Sequence, residues 1–117
     1  MRLETILGRC RTLELPFAKD EFEETEETPL PVPPYLVYII PTIKPRGSDE
    51  KPFINEISVG LELYTDKIAD EEIEKRIENE ILYDVDYVKY QTTIQSEELV
   101  QTAYEFTILE KIRKERY

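Results

Sequence analysis

Residues 57–64 read ISVGLELY, and their alternation is the clearest strand pattern in the chain. Every second residue from Ile57 to Leu63 is apolar, and these residues alternate with Ser58, Gly60, Glu62 and Tyr64. A period of two is typical of a β-strand that turns one face to the core. Gly60, which falls on the other face, indicates a bulge or a close approach of another chain segment. The centre of the chain is therefore predicted to be a half-buried strand.

Further strands are predicted on both sides of this stretch. Residues 35–40 read YLVYII, which indicates a strand buried on both faces, or on one face and at an interface. Pro41 is expected to end it. Residues 83–94 and 99–109 also alternate in polarity, and residues 17–22 fit a short edge strand.

Two amphipathic helices are predicted. Over residues 2–12, apolar side chains recur at the spacing of one helix face. The second helix has isoleucines at 73, 77 and 81, and Asp66 or Asp70 can cap it. The order α-β-β-β-α-β-β predicts a single α+β domain over residues 1–117. Its sheet should be mainly antiparallel, with four to five strands and both helices packed on one face.

Three segments are expected to be irregular. Residues 23–34 combine glutamates with prolines and predict an extended acidic loop. Residues 42–53 contain two prolines, a glycine and five charged side chains, which predicts a long charged loop between two strands. Residues 110–117 form a basic C-terminal tail that is expected to fray.

The charge balance disfavours several kinds of partner. The 117 residues carry 15 basic and 26 acidic side chains, a formal net charge of −11. A surface this negative disfavours nucleic acid and anionic membranes, and it either keeps the protein soluble or imitates DNA. No apolar run is long enough to span a bilayer, and no signal peptide is expected. The single cysteine predicts a fold without an internal disulfide, which suits a reducing compartment.

The sequence offers little for catalysis. It has no histidine, the commonest general base and a common metal ligand. Cys10 lies on the apolar face of the first helix, where a buried structural thiol is expected. Asp84 and Asp86 are two apart in a predicted strand and suggest either a weak calcium or magnesium site or a solvated strand face. We therefore expect no catalytic residues, no cofactor and no metal, and a protein that is not an enzyme.

The tyrosines point to binding. The chain has eight tyrosines and no tryptophan, and most of the tyrosines fall in predicted strands. Alternation sends some of them to the sheet face away from the helices, where an amphipathic aromatic surface suits a protein interface. The alternative is that they line the edge of the core with their hydroxyls in water. Tyr35 and Tyr38 are the candidate contacts on the doubly apolar strand.

The order of these motifs resembles the tail-completion and tail-terminator (head–tail joining) proteins of tailed bacteriophages and prophages of Gram-positive bacteria. The resemblance runs along nearly the whole chain and rests on LETIL at 3–7, FA at 17–18, PPYLVY at 33–38, LELYT at 61–65, the helix at 70–82, SE at 96–97 and YEF at 104–106. The loop at 42–53 departs from the family in composition, which bears on partner specificity.

The resemblance implies a structural virion protein of the neck. Such proteins are similar in forming a ring, usually of six copies, that ends the tail tube and joins it to the head connector, with DNA passing through the lumen. The acidic stretch at 20–27 and the basic end at 111–116 could then pair between copies. The predicted protein contacts are Lys44, Arg46, Asp49, Glu50, Tyr35, Tyr38, Arg113 and Lys114.

Three alternatives stay open. One is another layer of the neck, a head-completion or stopper protein. The second is an acidic DNA mimic that inhibits a nuclease or a repressor. The third is a metal-dependent enzyme, which would need strong ion binding at Asp84 and Asp86.

Overall fold

The computed structural model describes residues 1–48 and 51–112, and it confirms the predicted α+β class with a five-stranded sheet and two helices. The helices and the first three strands are α1 (Leu3–Arg11), β1 (Phe17–Lys19), β2 (Tyr35–Ser48), β3 (Lys51–Asp66) and α2 (Glu71–Arg76). A π-helical turn (Ile77–Ile81), β4 (Tyr87–Ile94), a 3-10 turn (Gln95–Glu97) and β5 (Leu99–Lys111) complete the described chain. This is the predicted order of elements.

The sheet is mixed, with the strand order β1-β2-β3-β5-β4. β1 pairs with β2 in parallel, and the other three neighbouring pairs are antiparallel. The chain leaves the sheet after β3, passes through α2, and returns as β4 at the far edge. β5 then folds back between β3 and β4, so β3 is paired on both sides along nearly its whole length.

The prediction of a loop over residues 42–53 is wrong, because β2 and β3 both continue through the described part of it. Beyond Tyr38, β2 has no outer neighbour among the described residues, since β1 is only three residues long. A strand edge of this kind tolerates proline, because its outward N–H groups need no partner in the sheet. Pro41 therefore does not end β2.

Pro41 lies in a β-bulge. Ile39 pairs with Gly60 but Thr42 pairs with Ser58, so two residues of β2 oppose one of β3. The close approach predicted at Gly60 is present: the Ile39 side chain packs so near that a Cβ on residue 60 would lie 2.7 Å from its Cγ1. The bulge and the glycine together let β2 stay paired with β3 beyond Pro41.

Both helices pack on the same face of the sheet. Each helical region buries two side chains against alternate residues of β3 and β5. These are Ile6 and Cys10 of α1, and Ile77 and Ile81 of the π-helical turn that follows α2. The core on this face consists of Ile6, Cys10, Leu13, Leu36, Ile57, Val59, Leu61, Leu63, Ile77, Ile81, Leu82, Tyr104, Phe106 and Ile108. The other face has no helix over it in the described part of the chain.

Local hydrogen bonds and backbone geometry set the ends of three elements. Asp70 caps α2 by accepting a hydrogen bond from the backbone N–H of Ile73 at 3.1 Å, which selects it over Asp66. β1 ends earlier than predicted, because Asp20 adopts a φ of 65°. The strand predicted over 83–94 begins only at Tyr87, because Arg9 binds the Asp84 carboxylate and the carbonyl of Ile81 and holds that stretch as a turn.

We expect Gly60→Ala to destabilise the fold by about 1–3 kcal/mol, because the new methyl group must displace Ile39. Gly8→Ala is the matched control. Nothing lies within 4 Å of a Cβ at Gly8, and alanine is the better helix former by about 1 kcal/mol, so it should stabilise the protein. Urea denaturation measures both changes. Equal effects of the two substitutions would contradict this packing.

Candidate interaction surface

The sheet face turned away from the helices is called the open face here. Cross-strand neighbours on it form six rungs. From the end near the start of β2, they are Tyr35–Tyr64–Gln101–Thr92, Val37–Glu62–Ala103–Tyr90, Ile39–Gly60–Glu105–Val88, Thr42–Ser58–Thr107, Lys44–Glu56–Leu109 and Arg46–Ile54–Lys111. Aromatic side chains lie at one end of this ladder and basic side chains at the other.

The aromatic end is filled by residues of its own chain. Tyr35 stacks on Tyr64 with ring centroids 5.0 Å apart, and Phe22 meets Tyr35 edge-on at 5.4 Å. Gln101 donates a hydrogen bond to the Tyr64 hydroxyl at 2.9 Å, and that hydroxyl donates to Glu62 at 3.1 Å. Burial raises the pKa of Tyr64 to about 12, so the hydroxyl remains a donor at neutral pH.

The basic end lies on a three-stranded extension, called the arm here, that consists of residues 42–48, 51–57 and 107–111. On its open face, Phe53, Ile54 and Leu109 line a shallow groove of about 310 Å³. Leu109 is 50% exposed, and β5 has no outer neighbour here among the described residues, because β4 pairs with it only as far as Phe106. The arm therefore presents apolar surface to the solvent.

Basic side chains surround this groove. Lys44, Arg46 and Lys111 occupy the last two rungs, and all three are exposed. Glu56 is the acidic residue on these rungs, and it lies 3.6 Å from Arg46. A local excess of positive charge therefore stands on a protein whose net charge is −11.

The acidic loop predicted at residues 23–34 is present as an irregular segment, called the acidic segment here. It has four glutamates, and no ion pair found among the described residues includes any of them. Leu30 is 52% exposed and Val32 is 80% exposed, so the segment also presents apolar groups. Its two ends are fixed where Asp20 N–H donates to the Tyr38 carbonyl and Leu36 N–H donates to the Pro16 carbonyl.

The structure brings together only part of the predicted contact set. Lys44 and Arg46 lie on adjacent rungs of the arm, and Tyr35 lies on the same face at the far end. Tyr38 faces the helices instead, where it packs on Phe17 at 5.2 Å and against the core. The remaining four predicted contacts lie outside the described residues: Asp49, Glu50, Arg113 and Lys114. The sequence reasoning missed Ile54, Leu109 and Lys111, which alternation would have placed beside Arg46 had the strands been extended.

A partly buried ionic cluster joins α2 and the π-helical turn after it to the sheet. Lys89 of β4 lies 2.8 Å from Glu74 and 2.7 Å from Glu78, and the Tyr104 hydroxyl donates to Glu78 at 2.8 Å. Glu74 is only 4% exposed, and its second carboxylate oxygen has no hydrogen-bond partner among the described residues. Lys89 is the one basic residue in β4, and its place opposite the acidic helix becomes apparent only in the folded sheet.

The cluster is suited to a structural role. Desolvation alone would raise the pKa of Glu78, but hydrogen bonds from Lys89 and Tyr104 outweigh it and lower that pKa. Burial, followed by the hydrogen bond to Glu78, raises the pKa of Tyr104, which therefore stays protonated. Lys89 neutralises carboxylates that would otherwise be costly to bury.

The other titratable candidates are also engaged. Arg9 binds both oxygens of Asp84, at 2.8 and 3.2 Å, and its hydrogen bond lowers the pKa of that carboxyl. Asp84 and Asp86 lie outside any strand, so the shared strand face suggested for an ion is not formed. Burial raises the pKa of the Cys10 thiol to about 12, which keeps it protonated and unreactive at neutral pH.

Residues 1–48 and 51–112 contain neither a cluster of metal-ligating side chains nor a membrane-spanning helix. Histidine, cysteine, aspartate and glutamate side chains nowhere converge in threes in a way that could hold a metal ion. No helix in this part of the chain is long and apolar enough to cross a membrane.

Comparison with known proteins adds no family. No protein-family model matches the chain, and no curated protein matches it significantly in sequence.

We expect Lys89→Met to lower the free energy of unfolding by roughly 2–3 kcal/mol, because it leaves Glu74 buried without a countercharge, while Glu78 keeps partial solvent access. Arg76→Ala is the control. This substitution removes an exposed ion pair with Glu80 at 2.9 Å and should lower the free energy of unfolding by at most about 0.5 kcal/mol. Urea denaturation at pH 7 measures both, and equal losses would contradict the cluster.

The same cluster predicts a pH dependence. Because the folded pKa of Glu78 is lowered, its contribution to stability is present above the unfolded value, near 4.5, and is lost as the pH falls through the folded value. Unfolding free energies measured from pH 7 to pH 3 should therefore fall less steeply in Lys89→Met than in the wild type. Parallel curves would show that Lys89 does not lower the Glu78 pKa.

Proposed function

We propose that this protein is a non-enzymatic structural protein that forms a ring at the head–tail interface of a tailed bacteriophage. In this role the ring ends the tail tube and joins it to the head connector. The proposal rests on the motif resemblance along the chain and on one structural observation, the open face. A sheet covered by helices on one face only, with exposed apolar and basic side chains on the other, is suited to assembly with further protein.

The two ends of the open face differ, and this difference supports an assembly of identical copies. The aromatic end is packed by Phe22 of the same chain, but the groove at Phe53, Ile54 and Leu109 remains open. The positive rungs of the arm and the acidic segment are two different surfaces of opposite charge. Contacts between different surfaces are heterologous, and heterologous contacts that close produce rings.

The other parts of the proposal follow from the phage role. The partners are further copies of this chain, most simply six in a ring, with the tail-tube protein below and the connector or stopper protein above. The protein would be made in the cytoplasm of the bacterial host and would act in the virion, at the top of the tail. An acidic lumen would let DNA pass without adhering to it, and the role needs no cofactor and no membrane.

A stopper or head-completion protein is the nearest alternative, because the same surfaces would serve another layer of the neck. The acidic DNA mimic is the alternative from a different class, and the exposed glutamates of residues 23–27 favour it. A mimic would stay monomeric and bind a basic DNA-binding protein with strong salt dependence. A ring would form from this chain alone or on a tail tube.

Gel filtration with light scattering, followed by negative-stain microscopy, tests the proposal. One chain has a mass of 13.9 kDa, so a closed ring of six should have a mass of about 83 kDa and should show a central hole. If the protein is a monomer alone, addition of tail tubes should give tubes capped at one end. A monomer that leaves tubes uncapped and instead binds basic DNA-binding proteins would contradict the ring and support the mimic.

A further inference from the structure

We propose that the acidic segment of one copy docks in the groove on the arm of a second copy. This inference rests on the self-assembly proposed above and names the contact that would produce it. The donor is residues 23–32, and the acceptor is the open face of the arm around Phe53, Ile54 and Leu109. Each copy would then contribute one donor and one acceptor.

The acceptor has two kinds of surface close together. Phe53 and Leu109 expose apolar groups beside the groove, and Ile54 lies between them in the sheet. Lys44, Arg46 and Lys111 surround these apolar groups on the two outermost rungs, with Glu56 as the acidic residue there. A ligand for this site should therefore be both acidic and apolar, and narrow enough to lie along the strands.

The donor also combines charged and apolar side chains, and its charge is opposite to that of the acceptor. Residues 23–27 supply four glutamates, and Leu30 and Val32 follow within five residues, with 52% and 80% of their surface exposed. Pro29 and Pro31 restrict the backbone to extended conformations, so less conformational entropy is lost on docking. The charges of donor and acceptor are opposite, which favours both the encounter and the orientation.

The geometry favours contact between copies over contact within one. Both ends of the acidic segment are fixed near the start of β2, and Phe22 lies on Tyr35 in the first rung of the open face. The acceptor begins at Lys44, nine residues further along β2. At about 3.3 Å per residue this separation is roughly 30 Å. A head-to-tail contact between copies follows naturally from donor and acceptor at opposite ends of one sheet.

Mixing two variants tests the contact. The acceptor variant is Lys44→Glu with Arg46→Glu, and the donor variant is Leu30→Ser with Val32→Ser; all four side chains are exposed, so both should fold. We expect the wild type to form an oligomer in light scattering and each variant alone to fall to 13.9 kDa. An equimolar mixture should form a species of about 28 kDa, because one intact donor can still meet one intact acceptor.

The control is Lys67→Glu with Lys75→Glu, which makes the same change in net charge at exposed lysines away from the arm. It should keep the wild-type mass. Circular dichroism and thermal melting of every variant show whether loss of mass comes from unfolding. A variant that melts well below the wild type is replaced by Lys44→Ala with Arg46→Ala or by Leu30→Ala with Val32→Ala.

The outcomes separate this contact from the proposed function. A wild type that stays at 13.9 kDa at all concentrations, variants that keep the wild-type mass, or a mixture that stays monomeric would each overturn the contact. A closed ring that is insensitive to both variants would leave the neck function standing without this contact. Open filaments abolished by both variants would support the contact and contradict the closed ring.

Discussion

The whole structure depends on β3 being paired on both sides while only one face of the sheet is covered. Leu61 and Leu63 are almost completely buried beneath the helices, and burial of such side chains contributes about 1.5–3 kcal/mol each. The pairing continues past the helices into the arm, where backbone hydrogen bonds persist without a second layer. The open face is therefore a consequence of having two short helices against one long sheet.

The sequence predicted the fold class, the order of elements and the covered face, because alternation in β3 and the helical spacing of Ile73, Ile77 and Ile81 are strong local signals. It did not predict the arm, because Pro41 and Pro45 are ordinarily signs of a loop. Whether proline is tolerated depends on which edge of a strand lacks a neighbour, and that is a property of the sheet rather than of the local sequence.

Much of the candidate surface was hidden from the sequence for the same reason. Lys44 and Arg46 could be selected as charged residues in a loop, but their alignment with Ile54, Leu109 and Lys111 requires the register of three strands. Tyr38 was selected with Tyr35, yet the two point to opposite faces, and only the position of the helices shows which face is free. The salt bridge of Lys89 with Glu74 likewise joins two separate elements, β4 and α2, so no local sequence pattern predicts it.

Burial of the open face of the arm on assembly can be measured by lysine acetylation footprinting with mass spectrometry. Lys44 and Lys111 on the arm, and Lys67 and Lys75 elsewhere, are all exposed in the single chain. Lys44 and Lys111 should become protected as the concentration rises through assembly, while Lys67 and Lys75 should react at an unchanged rate. Equal reactivity of all four lysines before and after assembly would contradict it.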